Sequence, residues 1–195
     1  MNYIRNIFNA RQYKKNPLLY ALEPILGFRP KTIRLYERAF THRSTKLKDL
    51  KGNAFNYERL EYVGDAILGA VIADYLYKSA PSADEGYLTK MRSKIVSRGH
   101  LNKIGKEMEL MPLMRSNIAL SKFGQNTHGN LLEALVGAVF LDKGFKSCEN
   151  FIYKRIIDPY VDISQLEGKI TSYKSLLVEW SQKEKKTLRF NSEKD

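Results

Sequence analysis

Tyr57-Glu58-Arg59-Leu60-Glu61-Tyr62-Val63-Gly64-Asp65-Ala66-Ile67-Leu68-Gly69 decides how the rest of the chain is read. The spacing predicts a helix that runs on to about Lys78. Leu60, Gly64, Ile67, Leu68, Val71, Ile72, Tyr75 and Leu76 recur three and four residues apart and form its buried face. Glu58, Glu61 and Asp65 share one stripe, and that stripe continues into Leu68 and Ile72. The acids therefore stand at the mouth of an apolar stripe. A carboxylate in such a place needs a counter-charge, either a divalent cation or an Arg or Lys side chain.

A second stretch answers the first. His128-Gly129-Asn130-Leu131-Leu132-Glu133-Ala134-Leu135-Val136-Gly137-Ala138-Val139-Phe140-Leu141 is again helical and almost wholly apolar. Asn130 and Glu133 lie three apart on one face, with Gly137 beyond them. Glycine costs a helix roughly 1 kcal/mol relative to alanine, so Gly64, Gly69 and Gly137 in two strong helices call for a reason. Close helix approach supplies one, and it is expected to bring Glu61, Asp65, Asn130 and Glu133 around one point. Three carboxylates and an amide oxygen are hard ligands suited to Mg²⁺, with Mn²⁺ as a substitute.

At these residues the chain resembles the ribonuclease III family. Asn56 to Asp65 is similar to the family signature, and Gly129-Asn130-Leu131-Leu132-Glu133-Ala134-Leu135 to its second acidic motif. Ala39-Phe40-Thr41-His42-Arg43-Ser44 resembles the motif that precedes the signature. Asp84-Glu85-Gly86 with Leu88-Thr89-Lys90-Met91-Arg92 resembles the segment that follows it. The motifs stand in family order and cover about residues 30–145. The resemblance implies an all-α endonuclease domain that cuts double-stranded RNA to 5′-phosphate and 3′-hydroxyl ends, in rRNA and mRNA processing in the cytoplasm. It implies a homodimer, with Tyr62 at the dimer contact. It assigns metal binding to Glu61, Asp65, Asn130 and Glu133, and catalysis to Asp65 and Glu133 with Glu58 and Glu85. No small-molecule cofactor is expected.

One departure stands inside the second motif: Asn130 occupies a position where the family usually has Asp. The amide keeps an oxygen ligand and removes a negative charge. That leaves a second reading, a catalytically weak or silent RNA-binding protein on the same fold. A third, a helical interaction protein whose acids pair with Arg59 and nearby lysines, has to explain acids on two separate small-residue helices.

Composition points to a polyanionic partner or an acidic membrane surface. The 195 residues are 43% hydrophobic and carry a net charge of +12. The longest apolar runs, Ala66–Ala73 and Ala134–Leu141, fall far short of the roughly 18 residues of a membrane span. Cys148 is the only cysteine, so no internal disulfide forms, and it reads as a packing residue. His42, beside Arg43, reads as a hydrogen-bonded structural histidine.

Four segments are expected. Residues 1–29 form a basic lead-in without the apolar core of a signal peptide, closing with a short helix and a turn. Residues 30–160 form the catalytic domain. It opens with a helix over about Lys31 to Phe40 and closes with another over Phe145–Ile157. Between Tyr87 and Lys106 there are six basic residues and no acid; Lys90, Lys94 and Arg98, one helical turn apart, are expected to meet RNA phosphates. Residues 161–171 read as a linker. Residues 172–195 resemble the start of an α+β double-stranded-RNA-binding domain, with a helix over Ser172–Lys183 and a strand opening at Thr187–Phe190. The strands that would complete it do not follow, so a fragment or a divergent short form is expected, with little RNA affinity in this tail alone.

Overall fold

The computed structural model describes residues 16–167 and 173–190. Most of the basic lead-in (1–15), part of the expected linker (168–171), Ser172 and residues 191–195 lie outside the described residues. The chain divides after Val161 into two units.

In the first unit, Asn16 accepts a hydrogen bond from the Leu18 amide (3.1 Å), Pro17 sits at the first helical position, and α1 runs Pro17–Leu26. Gly27 closes it at φ 73°, a left-handed conformation that costs glycine little. Helix α2 (Ile33–Ala39) follows. Thr32 makes no side-chain cap for it. The buried Asp142 does so instead, accepting from the Lys31 amide (2.9 Å), the Thr32 amide (2.7 Å) and the Tyr36 hydroxyl (3.1 Å).

Two long helices carry the core: α3 (Glu58–Ser79) and, further along, α6 (Asn126–Lys143). On α3, Leu60, Gly64, Leu68, Val71, Ile72 and Leu76 are buried, while Ile67 and Tyr75 sit at the margin. Helix α6 is buried nearly all round, from Leu131 to Val139, with only Glu133 half-exposed in that run. Helices α2 and α3 and the helices over Arg98–Glu107 and Phe145–Ile152 all pack on it. Each fully buried Leu or Val contributes roughly 1.5–3 kcal/mol, which makes α6 the axis of the unit.

Between these two, Asp84 caps α4 (Glu85–Ile95) and Ser97 caps α5 (Arg98–Glu107). The expected stripe of Lys90, Lys94 and Arg98 is therefore not one helical face. Ser97 adopts an extended conformation (ψ 143°), ends the first helix and starts a second, so Arg98 belongs to a different axis. Lys94 is also buried, at 5% exposure, and is withdrawn from direct phosphate contact. A serine just ahead of a new helical period was the missed signal.

Gly144 (φ 78°) ends α6. Helix α7 (Phe145–Ile152) then continues through a π-helical turn, Tyr153–Ile157, into the single-turn α8, Asp158–Tyr160. Cys148 is buried against α6, where its thiol donates to the Val136 carbonyl (3.5 Å). Burial pushes that thiol up to about 12, so it is packing and not a nucleophile.

The second unit contains α9 (Ile163–Glu167) and α10 (Tyr173–Lys183). The strand expected at Thr187–Phe190 does not form: 186–190 has no regular structure, and no β-strand occurs among the described residues. An extended segment needs a neighbour to pair with. Among the described residues no helix is long and apolar enough to cross a membrane.

Candidate active site

The acids meet because two glycines let their helices touch. A Cβ added to Gly64 would lie 2.6 Å from the Glu133 carbonyl carbon, closer still to its oxygen, and 2.9 Å from the Gly137 amide nitrogen. A Cβ on Gly137 would lie 3.0 Å from the Leu60 carbonyl carbon. The backbones of α3 and α6 are thus in contact at Gly64 and Gly137, as the small-residue pattern leads one to expect. Gly69 has open space around its Cβ position, so that reason does not extend to it. Gly105 plays the same part between α5 and α6, against the His128 carbonyl. The Asn102 side chain fastens this second contact by accepting from the Gly129 amide (2.8 Å).

This packing places Asp65, Asn130 and Glu133 around one cavity of about 180 Å³, with Arg98, Val96, Leu101 and Gly129 completing its walls. Glu61, half-buried one turn before Asp65, feels the same field. Burial, then Glu58 and Asp65, raises the Glu61 pKa, and Arg98 opposes the rise. Glu133 is pushed up to about 7 by burial first and then by Asp65 and Glu61, again opposed by Arg98. The crowding makes the site cation-seeking, and its donors are oxygens of the type that Mg²⁺ or Mn²⁺ accepts. Among the described residues, no three His, Cys, Asp or Glu side chains are already gathered as a ligand set. What the structure brings together is the wall of acids, with their side chains still apart.

Glu58 faces a different set of partners. It accepts from Arg43 (3.4 Å) and from the Asn56 amide (3.2 Å), and the Asn56 side chain caps its backbone N–H (3.2 Å). Glu85 is not in this site. It opens α4 and borders a separate cavity with Asp74, Tyr77 and Arg92, where Thr89 donates to it (2.8 Å). That end of α3 lies about 13–18 Å along the helix from Asp65. Lys90 is exposed on α4, and Tyr62 is 79% exposed on α3.

The segment before the signature works as a clamp. The Nδ1 of His42 accepts from the Ser44 amide (3.1 Å), and its ring stacks edge-on to Phe123 (4.7 Å) and tilts against Tyr57 (5.8 Å). Burial, then Arg43, lowers its pKa, so it is a neutral structural histidine. The Ser44 hydroxyl meets that of Ser116 (3.1 Å) and accepts from the Asn117 amide (3.1 Å), tying this turn to the loop ahead of α6. Tyr57 was not anticipated. It is buried at the start of α3, and burial, then Glu61, raises the pKa of its hydroxyl.

Similarity to known proteins carries the assignment. A family profile described as Ribonuclease-III-like matches residues 32–160. A protein named Ribonuclease 3 from Zunongwangia profunda is 57% identical over 195 residues, which is 100% of this chain and 80% of that one. The nuclease domain of ribonuclease III from Campylobacter jejuni superimposes with a TM-score of 0.64 at 30% identity, covering 76% of this chain and 99% of that one. A second structure of that domain, described as flexible in a region involved in dimer formation, gives 0.63 at 28% identity over 72% of this chain and 96% of that one. Paired acids on two glycine-locked helices, the matching profile and a relative sharing more than half its residues lead to one assignment: this chain belongs to the ribonuclease III family of endoribonucleases.

Proposed function

We propose that the chain hydrolyses double-stranded RNA at the cavity between α3 and α6, in a divalent-metal-dependent reaction that leaves 5′-phosphate and 3′-hydroxyl ends. The observation that carries this is the Gly64–Gly137 crossing, which brings the exposed Asp65 together with Asn130 and Glu133 around one cavity, with half-buried Glu61 a turn away; burial and mutual repulsion raise Glu61 and Glu133. Glu61, Asp65 and Glu133 would hold Mg²⁺ or Mn²⁺, with the Asn130 carbonyl oxygen as a neutral fourth donor. With that ion bound the site gains a Lewis acid for a phosphoryl oxygen. The chain's own residues do the remainder. The Gly64–Gly137 contact fixes the spacing of the acids, and Glu133 sheds its proton to become a ligand. Glu58, tied to Arg43 and Asn56, holds the start of α3 in place.

The same reading makes the enzyme a homodimer acting on cytoplasmic rRNA and mRNA precursors. Tyr62, Ala66, Ala70 and Tyr77 are exposed along one side of α3, a stripe suited to a second copy. A two-fold dimer also matches the antiparallel strands of a duplex. Glu85 serves the cleavage centre in this scheme only from the second copy, because within one chain it lies at the far end of α3. Residues 173–190 would begin a double-stranded-RNA-binding domain.

The test is cleavage of a labelled RNA duplex with and without Mg²⁺. Glu133→Gln and Asp65→Asn should abolish cutting and leave duplex binding in place. Cutting by either variant at the wild-type rate would refute the site. Asn130 favours one competing reading, a silent RNA-binding relative, and wild-type protein that binds but never cuts would establish that reading instead.

A further inference from the structure

Arg98 opens α5 immediately after the Ser97 cap, and its side chain is exposed. It lines the same cavity as Asp65, Asn130 and Glu133, and no other described residue lining that cavity is a cation. Its charge reaches Glu61 and Glu133 and opposes the repulsion among the acids. Yet no ion pair or hydrogen bond joins Arg98 to Glu61, Asp65 or Glu133 among the described residues. A guanidinium locked in a bidentate pair is part of the structure. One held only by the field of its neighbours can leave when a stronger partner arrives.

We propose that Arg98 is the resident counter-cation of the acid cavity: it opposes metal binding while the protein is free of RNA, and it transfers to a backbone phosphate when the duplex binds. The proposal rests on the reading of Glu61, Asp65 and Glu133 as cation ligands. Its consequence is a coupling between the two ligands. RNA draws the opposing charge away from the cavity and tightens the metal site, and by linkage the metal tightens RNA. A residue that merely touched phosphate would leave the metal affinity of the RNA-free protein untouched.

Two measurements on the full chain decide it. In the first, free Mn²⁺ is followed by electron paramagnetic resonance as RNA-free protein is titrated. Arg98→Gln should bind Mn²⁺ about three- to tenfold more tightly than wild type, the effect of removing one unit charge several ångströms from a divalent ion in a partly solvated cavity. Arg98→Lys, which keeps the charge, should stay within about twofold of wild type. In the second, duplex binding is measured in EDTA against salt concentration, and Arg98→Gln should lower the slope by about one released counterion. Unchanged or weaker Mn²⁺ binding by Arg98→Gln overturns the proposal, and so does an unchanged salt slope. Glu133→Gln separates this failure from failure of the site itself. If that variant binds Mn²⁺ as wild type does, the ligand assignment is wrong, whatever Arg98 does. Arg98 is exposed at a helix start, so the circular dichroism spectra of Arg98→Gln and Arg98→Lys should match that of wild type.

Discussion

Replacing Gly64 by alanine should damage this protein more than a change of one methyl group ordinarily does. The helix itself gains, since alanine is favoured over glycine by up to about 1 kcal/mol. The new Cβ, however, stands 2.6 Å from the Glu133 carbonyl carbon and 2.9 Å from the Gly137 nitrogen, and both are backbone atoms that cannot rotate away. Helices α3 and α6 must part by about 1–2 Å before ordinary van der Waals distance returns. Parting them loosens the most buried layer of the unit, at a net cost of roughly 3 kcal/mol. That corresponds to a fall of about 6–12 °C in Tm for a chain of this size. The same shift carries Glu133 away from Asp65, and a misplacement of about 1 Å is enough for a loss on the order of 10²-fold in rate. The control lies five residues on. Gly69→Ala meets nothing within 4 Å, so it should leave Tm equal or slightly higher and cleavage unchanged. Thermal melts and duplex cleavage of the two variants, side by side, are the assay. Equal stability of Gly64→Ala and Gly69→Ala would refute the close backbone crossing, and with it the account of how the acids are brought together.

Three further outcomes are expected. Glu133 has its folded-state pKa raised to about 7 from 4.5, so the folded metal-free chain holds that proton more tightly than the unfolded chain. Its contribution to stability is full below the unfolded value and lost as pH rises through about 7; metal-free Tm should fall across that window, and Glu133→Gln should flatten the fall. Asn130→Asp adds a fourth carboxylate to a crowded cavity, so it should lower Tm without metal while lowering the Mg²⁺ concentration for half-maximal cleavage about three- to tenfold; a matched pair of melts and Mg²⁺ titrations checks both signs. Asp142→Ala leaves two backbone amides and the Tyr36 hydroxyl without their acceptor at the start of α2, and urea unfolding should show a loss of about 3 kcal/mol.

Where sequence reading succeeded and where it failed has a physical pattern. Helices α3 and α6 were legible because their periodicity is dictated by burial, and Gly64 and Gly137 were legible because an unexplained glycine in a helix implies a neighbour. Of the expected group of Glu61, Asp65, Asn130 and Glu133, the last three line one cavity at that contact, and Glu61 lies a turn outside its walls. Features created by tertiary packing were not legible. Asp142 caps a helix more than a hundred residues away, and no local spacing announces it. The break at Ser97 turned Arg98 from one member of a basic stripe into a wall of the acid cavity, because a cap residue outweighed the run of helical spacing around it. Glu85 shares an acidic character with Glu61 but opens a different helix at the other end of α3, a separation that charge alone does not reveal.

The break at Ser97 also places a helix start at the cavity wall. Because α5 begins at Arg98, its amino terminus lines the cavity, while the first turn of α3 carries Glu58 and Glu61. Asp65 and Glu133 stand two turns inside their own helices, so the helix start that borders them is that of α5. That start presents main-chain dipoles equivalent to up to about half a positive charge, an effect confined to about the first turn. This part of the balancing potential belongs to the main chain. It does not titrate, it survives substitution of any side chain, and it stays behind when Arg98 moves to a phosphate. The cavity acids are therefore held in a standing electric field set in part by where α5 begins, and added salt should weaken that field before any residue is changed.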